Sequence, residues 1–116
     1  MPPKRDWRLR VADIVQQAEL LLSHTEGVDW ARFESDDILQ GNVLYRLSVI
    51  GEAVASIPDE VRLLYPEVPW RDIRNMRNVI THVYFGVDLA RVWDVVETDL
   101  PVLLAKVRAV QTDEAS

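Results

Sequence analysis

The chain predicts an all-α fold, an antiparallel bundle of four long helices with short connecting helices between them. Three observations lead there. Apolar residues recur at three- and four-residue steps through four separate stretches. No stretch alternates apolar and polar residues as a half-buried strand would. Short connections marked by Gly27, Pro58, Pro66, Pro69 and Gly86 separate the stretches, which favours antiparallel neighbours. The 116 residues suffice for one domain, 1–116, with a modest core, and are too few for two.

The first helix is expected from Trp7 to about Thr25, with Trp7, Val11, Ile14, Ala18, Leu21 and Leu22 on its apolar face. Asp6 can cap its start and Gly27 can stop it. His24, in the last turn without a partner at ligand spacing, reads as a solvated C-terminal cation. Val28–Phe33 reads as a connecting turn of helix. Ser35 then offers a cap, and Asp36 and Asp37 in the next turn complement the dipole. The second long helix carries Leu39, Val43, Leu47, Ile50 and Val54 toward the core and ends near Ser56, before Pro58. Gly51, Ala53 and Ala55 are small enough for another helix to approach closely, and Glu52 stands among them on a stripe with Tyr45 and Ser48. That setting reads as a partly buried carboxylate paired to an arginine.

Asp59–Tyr65 can form a short helix, after which Pro66 and Pro69 forbid a continuous one. The third long helix starts at Pro69–Trp70 and runs to Gly86, with Ile73, Met76, Val79, Ile80 and Val83 on its buried face. The last helix follows an Asp88 cap and carries Leu89, Val92, Trp93, Val96, Leu100, Leu103, Val107 and Val110. Pro101 should kink it, and Gln111–Ser116 reads as a frayed polar tail.

The balance of residues is that of a soluble globular protein, 48% apolar and 28% charged. There is no cysteine, which removes disulfides and thiolate metal sites. No apolar run reaches the roughly 20 residues that span a bilayer, and M-P-P-K-R-D is not followed by a signal-peptide core. A cytoplasmic location with no membrane association is the expectation. A net charge of −6 argues against nonspecific grip on nucleic acid across the whole surface, but leaves room for a local basic cleft. Arg71, Arg74 and Arg77, on one helix, are the candidate for that cleft.

The polar side of segment 70–86 collects Arg71, Arg74, Asn75, Arg77, Asn78, Thr81 and His82. Asn78 and His82 are one turn apart and share a face. Arg77 and Tyr84 share a second stripe with Trp70. On an ideal helix Arg77 and His82 point about 140° apart, so joint action needs a distorted helix end, a long reach by Arg77, or a second subunit. His82 lies in the last turn, where the helix dipole favours its protonated form, the state needed by a general acid.

This segment resembles the signature of the HEPN superfamily, most closely its HepT-like toxin branch. The mark of that family is Arg, a polar residue, three variable positions and His, here Arg77-Asn78-Val79-Ile80-Thr81-His82, extended by a spacer and a tyrosine, here Tyr84. The likeness continues in P-x-V-P-W (Pro66–Trp70), in G-E-A (Gly51–Ala53), in Val87-Asp88 and in Val92-Trp93, and covers roughly 37–104. A lone R-x-x-x-x-H is weak; with the tyrosine and these flanks it is fairly specific. The resemblance implies a helical bundle, ribonuclease toxin activity, a homodimer whose motif helices line a shared cleft, and a paired MntA-like nucleotidyltransferase antitoxin that transfers AMP to Tyr84. It also places Glu52 beside the motif helix, where its carboxylate could orient Arg77 or His82, with Arg74 as a further support.

Metal chemistry fits the sequence poorly, since the two histidines are far apart and no His-x-x-x-His or acidic cluster accompanies His82; no cofactor is expected. A nuclease without metal can use the 2′-hydroxyl of RNA as nucleophile, with His82 moving protons, Arg77 stabilising the phosphorane and Asn78 holding the phosphate or the imidazole. That chemistry selects RNA, tRNA and mRNA included, over DNA. The alternative is a non-catalytic helical module that uses the same basic face to bind a nucleotide or a nucleotidyltransferase partner. In that case Tyr84 is a packing residue at the core edge.

Overall fold

The computed structural model describes residues 6–72, 74 and 88–115, and among these every regular element is helical. Helix α1 is Trp7–Thr25, α2 Trp30–Ser35, α3 Asp37–Ala55 and α4 Asp59–Leu64. The chain is helical again at residues 70–72 and 74. Helix α5 (Leu89–Asp94) leads through a π-helical turn (Val95–Asp99) into α6 (Leu100–Ala115). The long helices described are thus α1, α3 and α6. Most of the expected third helix lies outside the described residues. Among the described residues no helix is long and apolar enough to cross a membrane.

Four of the helix starts are capped by an aspartate. The Asp6 carboxylate accepts the Arg8 N–H, Asp29 the Arg32 N–H and Asp88 the Arg91 N–H, each filling one of the donors that a helix leaves open at its first turn. The third helix is capped by Asp36 rather than Ser35: Asp36 accepts from Leu39 N–H at 3.0 Å. Ser35 Oγ instead turns back to the Ala31 carbonyl at 2.9 Å inside α2. The charged oxygen is the stronger acceptor at the positive end of a helix, so it takes the capping place. The Leu39 N–H bond, with Arg32 beside it, holds the Asp36 carboxyl below the usual carboxylate range.

The core is drawn from one face of each long helix. Val11, Ile14, Ala18 and Leu21 of α1 meet Val43, Leu47, Ile50 and Val54 of α3, and Leu100, Leu103, Val107 and Val110 of α6 close the far side. Helix α1 packs on both α3 and α6. Phe33 of α2 is fully buried and stacks on Trp93 of α5 at 4.7 Å between ring centres and 22° between planes. A polar seam fixes the direction of the α1–α3 pair. Arg46 donates to Gln17 Oε1 (2.8 Å) and to Asn42 Oδ1 (3.1 Å). The Asn42 amide nitrogen therefore faces His24 Nδ1 at 2.9 Å. Positions 17 and 24 of α1 thus meet 46 and 42 of α3, and the two helices run antiparallel. His24 is accordingly a partner of α3 rather than a group surrounded by water alone.

In the C-terminal helix the interruption expected at Pro101 takes a definite form, and the expected frayed end changes. Pro101 has no N–H to donate and its ring collides with the carbonyl four residues back in a regular α-helix. The chain answers with a wider turn just before it, in which the Leu100 N–H bonds the Val95 carbonyl five residues back. The helix also continues through Gln111–Ala115 instead of fraying there.

Candidate active site

The candidate site is entered through the turn after α4. That short helix ends at Leu64 because Pro66 follows Tyr65. Trp70 is 8% exposed, and its indole N–H lies between two carbonyls, Tyr65 O at 3.0 Å and Arg62 O at 3.2 Å. Its backbone N–H bonds the Val68 carbonyl at 2.8 Å. The Tyr65 hydroxyl donates to Asp113 Oδ2 at 2.8 Å, so the same turn is tied to α6. Trp70 thereby fixes the place of the helical residues 70–72, which follow Pro69. Replacing Trp70 with Phe keeps an aromatic ring but removes the pyrrole portion with its N–H, which should lower stability by about 1 kcal/mol or more in denaturant unfolding. An unchanged midpoint would mean that this bond holds nothing.

Arg71, Asp72 and Arg74 are exposed. Asp72 also borders a cleft of about 240 Å³ with Glu67, Pro69, Thr98, Asp99 and Lys106. Partial burial, and then the carboxylates of Asp94 and Asp72, push the Asp99 carboxyl above its ordinary range, against a smaller opposing effect of Arg91. Sequence reading missed this acidic side because Asp72 and Asp99 are brought together only by the fold. The one available signal was Pro101, which places the wide turn that carries Asp99.

Glu52 is exposed on α3 rather than partly buried. Its neighbours Gly51 and Ala53 are the buried ones. Arg77, Asn78, His82 and Tyr84 lie outside the described residues, and Glu52 and Arg74 are the members of the expected site that lie within them. Among the described residues no three His, Asp or Glu side chains gather as a group that could hold a metal ion.

Similarity to known proteins defines the class to which this chain belongs, the RNA-cleaving nucleases. The profile described as "Ribonuclease HepT-like" matches residues 14–110, from the middle of α1 to the last core residue of α6. The chain belongs to the HepT-like ribonuclease family. It is 37% identical over 103 residues to a protein of Thermococcus cleftensis named as a candidate ribonuclease HepT, covering 89% of this chain and 94% of that one. It is 32% identical over 107 residues to a protein of Methanocaldococcus jannaschii named as a candidate RNase, covering 92% and 98%. A further relative so named, from Caldanaerobacter subterraneus, is 33% identical over 101 residues, covering 87% and 90%. No solved structure matches the chain significantly.

Proposed function

We propose that this chain is the metal-independent ribonuclease toxin of a toxin–antitoxin pair, a single cytoplasmic domain that acts as a homodimer. The observation that carries the reading is membership of the HepT-like family in a chain that keeps Arg77-Asn78-x-x-x-His82 and Tyr84. In the reaction the 2′-hydroxyl of one nucleotide attacks the adjacent phosphorus. The P–O5′ bond breaks, leaving a 2′,3′-cyclic phosphate and a 5′-hydroxyl. His82 shuttles the proton that leaves the 2′-oxygen and reaches the 5′-oxygen, Arg77 balances the charge gathering on the phosphorane, and Asn78 holds the phosphate or the imidazole. Glu52 and Arg74 support this group from its surroundings.

The helical residues just before the motif, 70–72 and 74, support one direction of approach for RNA. Arg71 and Arg74 are about 60° apart on a helical wheel, whereas Asp72 is turned about 100° from Arg71, toward the acidic cleft with Glu67 and Asp99. A phosphate backbone is drawn to the arginine side and repelled from the other. Induced expression of wild type and His82→Ala without the antitoxin tests the whole reading, with growth and RNA integrity as readouts. Toxicity and RNA loss confined to wild type support it. Equal behaviour of the two favours the non-catalytic module.

Control is assigned to Tyr84. An MntA-like nucleotidyltransferase antitoxin would direct the Tyr84 oxygen onto the α-phosphorus of ATP, forming an O–AMP ester and releasing pyrophosphate. The added bulk and negative charge beside the Arg77 stripe repel an RNA backbone. Tyr84→Phe is expected to keep ribonuclease activity and to escape silencing, because only the acceptor oxygen is lost. Intact-protein mass spectrometry after incubation with antitoxin and ATP checks this. No gain in the mass of wild type, or silencing of Tyr84→Phe as readily as wild type, would leave Tyr84 as a packing residue and point to inhibition by occlusion.

A further inference from the structure

Helix α3 carries an apolar stripe that nothing among the described residues covers. Ile38 is 82% exposed and Tyr45 63% exposed. Between them stands Gly41, also exposed, in the interior of a 19-residue helix. Glycine is among the poorest helix formers, so an interior glycine normally has a reason. Within the described part of this molecule Gly41 has none. Its φ is not positive, and a Cβ built there would meet nothing within 4 Å. The space it leaves opens outward.

Ile38, Gly41, Tyr45 and Ser48 fall within a sector of about 80° on an ideal helix, so they form one face. Large and small residues alternate along it. Ser48 adds no unpaired polar group, because its hydroxyl donates to the Tyr45 carbonyl at 2.8 Å. Arg46, the charged residue between Ile38 and Ser48, is turned away toward Gln17 of α1, and the exposed Glu52, one turn after Ser48, ends the apolar part of this face.

We infer that this face of α3 pairs with the same face of a second copy, antiparallel about a two-fold axis at the level of Val43, and that Gly41 is the notch that receives the partner's Tyr45. The inference rests on the homodimer proposed above and names the face through which it forms. Self-complementarity is what selects a second copy over another protein. Gly41 and Tyr45 are equidistant from Val43, as are Ile38 and Ser48. An antiparallel pair therefore sets Tyr45 against the partner's Gly41 and Ile38 against the partner's Ser48, a large residue against a small one at all four contacts, which is the requirement of an isologous interface. The same register sets Asp37, at the edge of this face, level with the partner's Val49, and puts the partner's Glu52 about one turn further along α3.

Sedimentation equilibrium on the full chain tests this through Gly41→Leu, a change that pulls folding and pairing in opposite directions. Leucine is the better helix former, so the protomer should melt no lower than wild type, while the filled notch should weaken the dimer about tenfold or more. Ile38→Lys should weaken it similarly. Because the chain has no cysteine, an Ile38→Cys/Ser48→Cys double variant supplies an independent readout, and mild oxidation should link it into a covalent dimer. A wild-type dimer that persists in Gly41→Leu and Ile38→Lys, without cross-linking of the cysteine variant, overturns this face and leaves the homodimer standing. A wild type that is monomeric at micromolar concentration overturns both.

Discussion

Replacing His82 with alanine is expected to lower RNA cleavage by about 10²-fold or more, the usual scale of a lost proton-transfer group. A loss of that size corresponds to about 2.7 kcal/mol of transition-state stabilisation. Arg77→Ala should fall as far, for a different reason: the phosphorane carries more charge than the bound phosphodiester, and Arg77 is the cation proposed to offset the difference. The two losses should differ in character. The His82 variant should flatten the pH dependence of cleavage, whereas the Arg77 variant should keep its shape at a lower level. Wild-type cleavage should survive EDTA, since the proposed chemistry uses the 2′-hydroxyl as nucleophile. Full activity in His82→Ala, or an EDTA loss restored by a divalent ion, would sink the mechanism.

Phe33→Ala should cost about 3–5 kcal/mol in urea or guanidinium unfolding, the range for truncating a buried aromatic side chain. The position is severe for two reasons. Phe33 has no exposure at all and stacks on Trp93, with Trp30 tilted against it at 6.2 Å. It is also the sole buried residue of α2, a six-residue helix. A helix so short has no stability of its own in water and is held by its packing. Removing the ring therefore leaves a cavity and also releases α2 from α5. Against the roughly 5–15 kcal/mol that a domain of this kind has in total, the variant should be near the limit of folding. A loss below about 1 kcal/mol, the scale of an ordinary substitution, would mean that the Phe33–Trp93 stack is not what anchors the connection.

The bounds of α1, the start of α4 and the core face of α3 were legible because each is written in local terms: an acidic cap for α1, the Pro58 breaker before α4 and an apolar repeat in α3. Asp6 and Thr25 bracket α1 as the pattern predicts, and Val43, Leu47, Ile50 and Val54 are buried as their spacing requires. The Ser35–Asp36 choice was not legible in that way, since both residues are good caps and the decision lies in which oxygen the Leu39 N–H meets. Glu52 shows a different limit. Periodicity placed it correctly on a stripe with Tyr45, but small neighbours suggested burial, and Gly51 and Ala53 spend their small size on the other side of the helix. The nearness of Asp72 to Asp99 needs the fold, because no local rule joins residues so far apart in sequence. The Arg77–His82 chemistry was read from residue types and spacing, and it rests on those and on the family.

The wide turn at Val95–Asp99 has a mechanical consequence. Upstream of it α5 bears on α2 through the Phe33–Trp93 stack, and downstream α6 bears on α1. A regular helix would couple these two loads as a stiff rod. A π turn, one residue wider and followed by a proline that cannot donate, interrupts that regular ladder between them. The Phe33–Trp93 contact and the α1–α6 packing are therefore joined through a break in the backbone hydrogen-bond ladder rather than through one continuous helix.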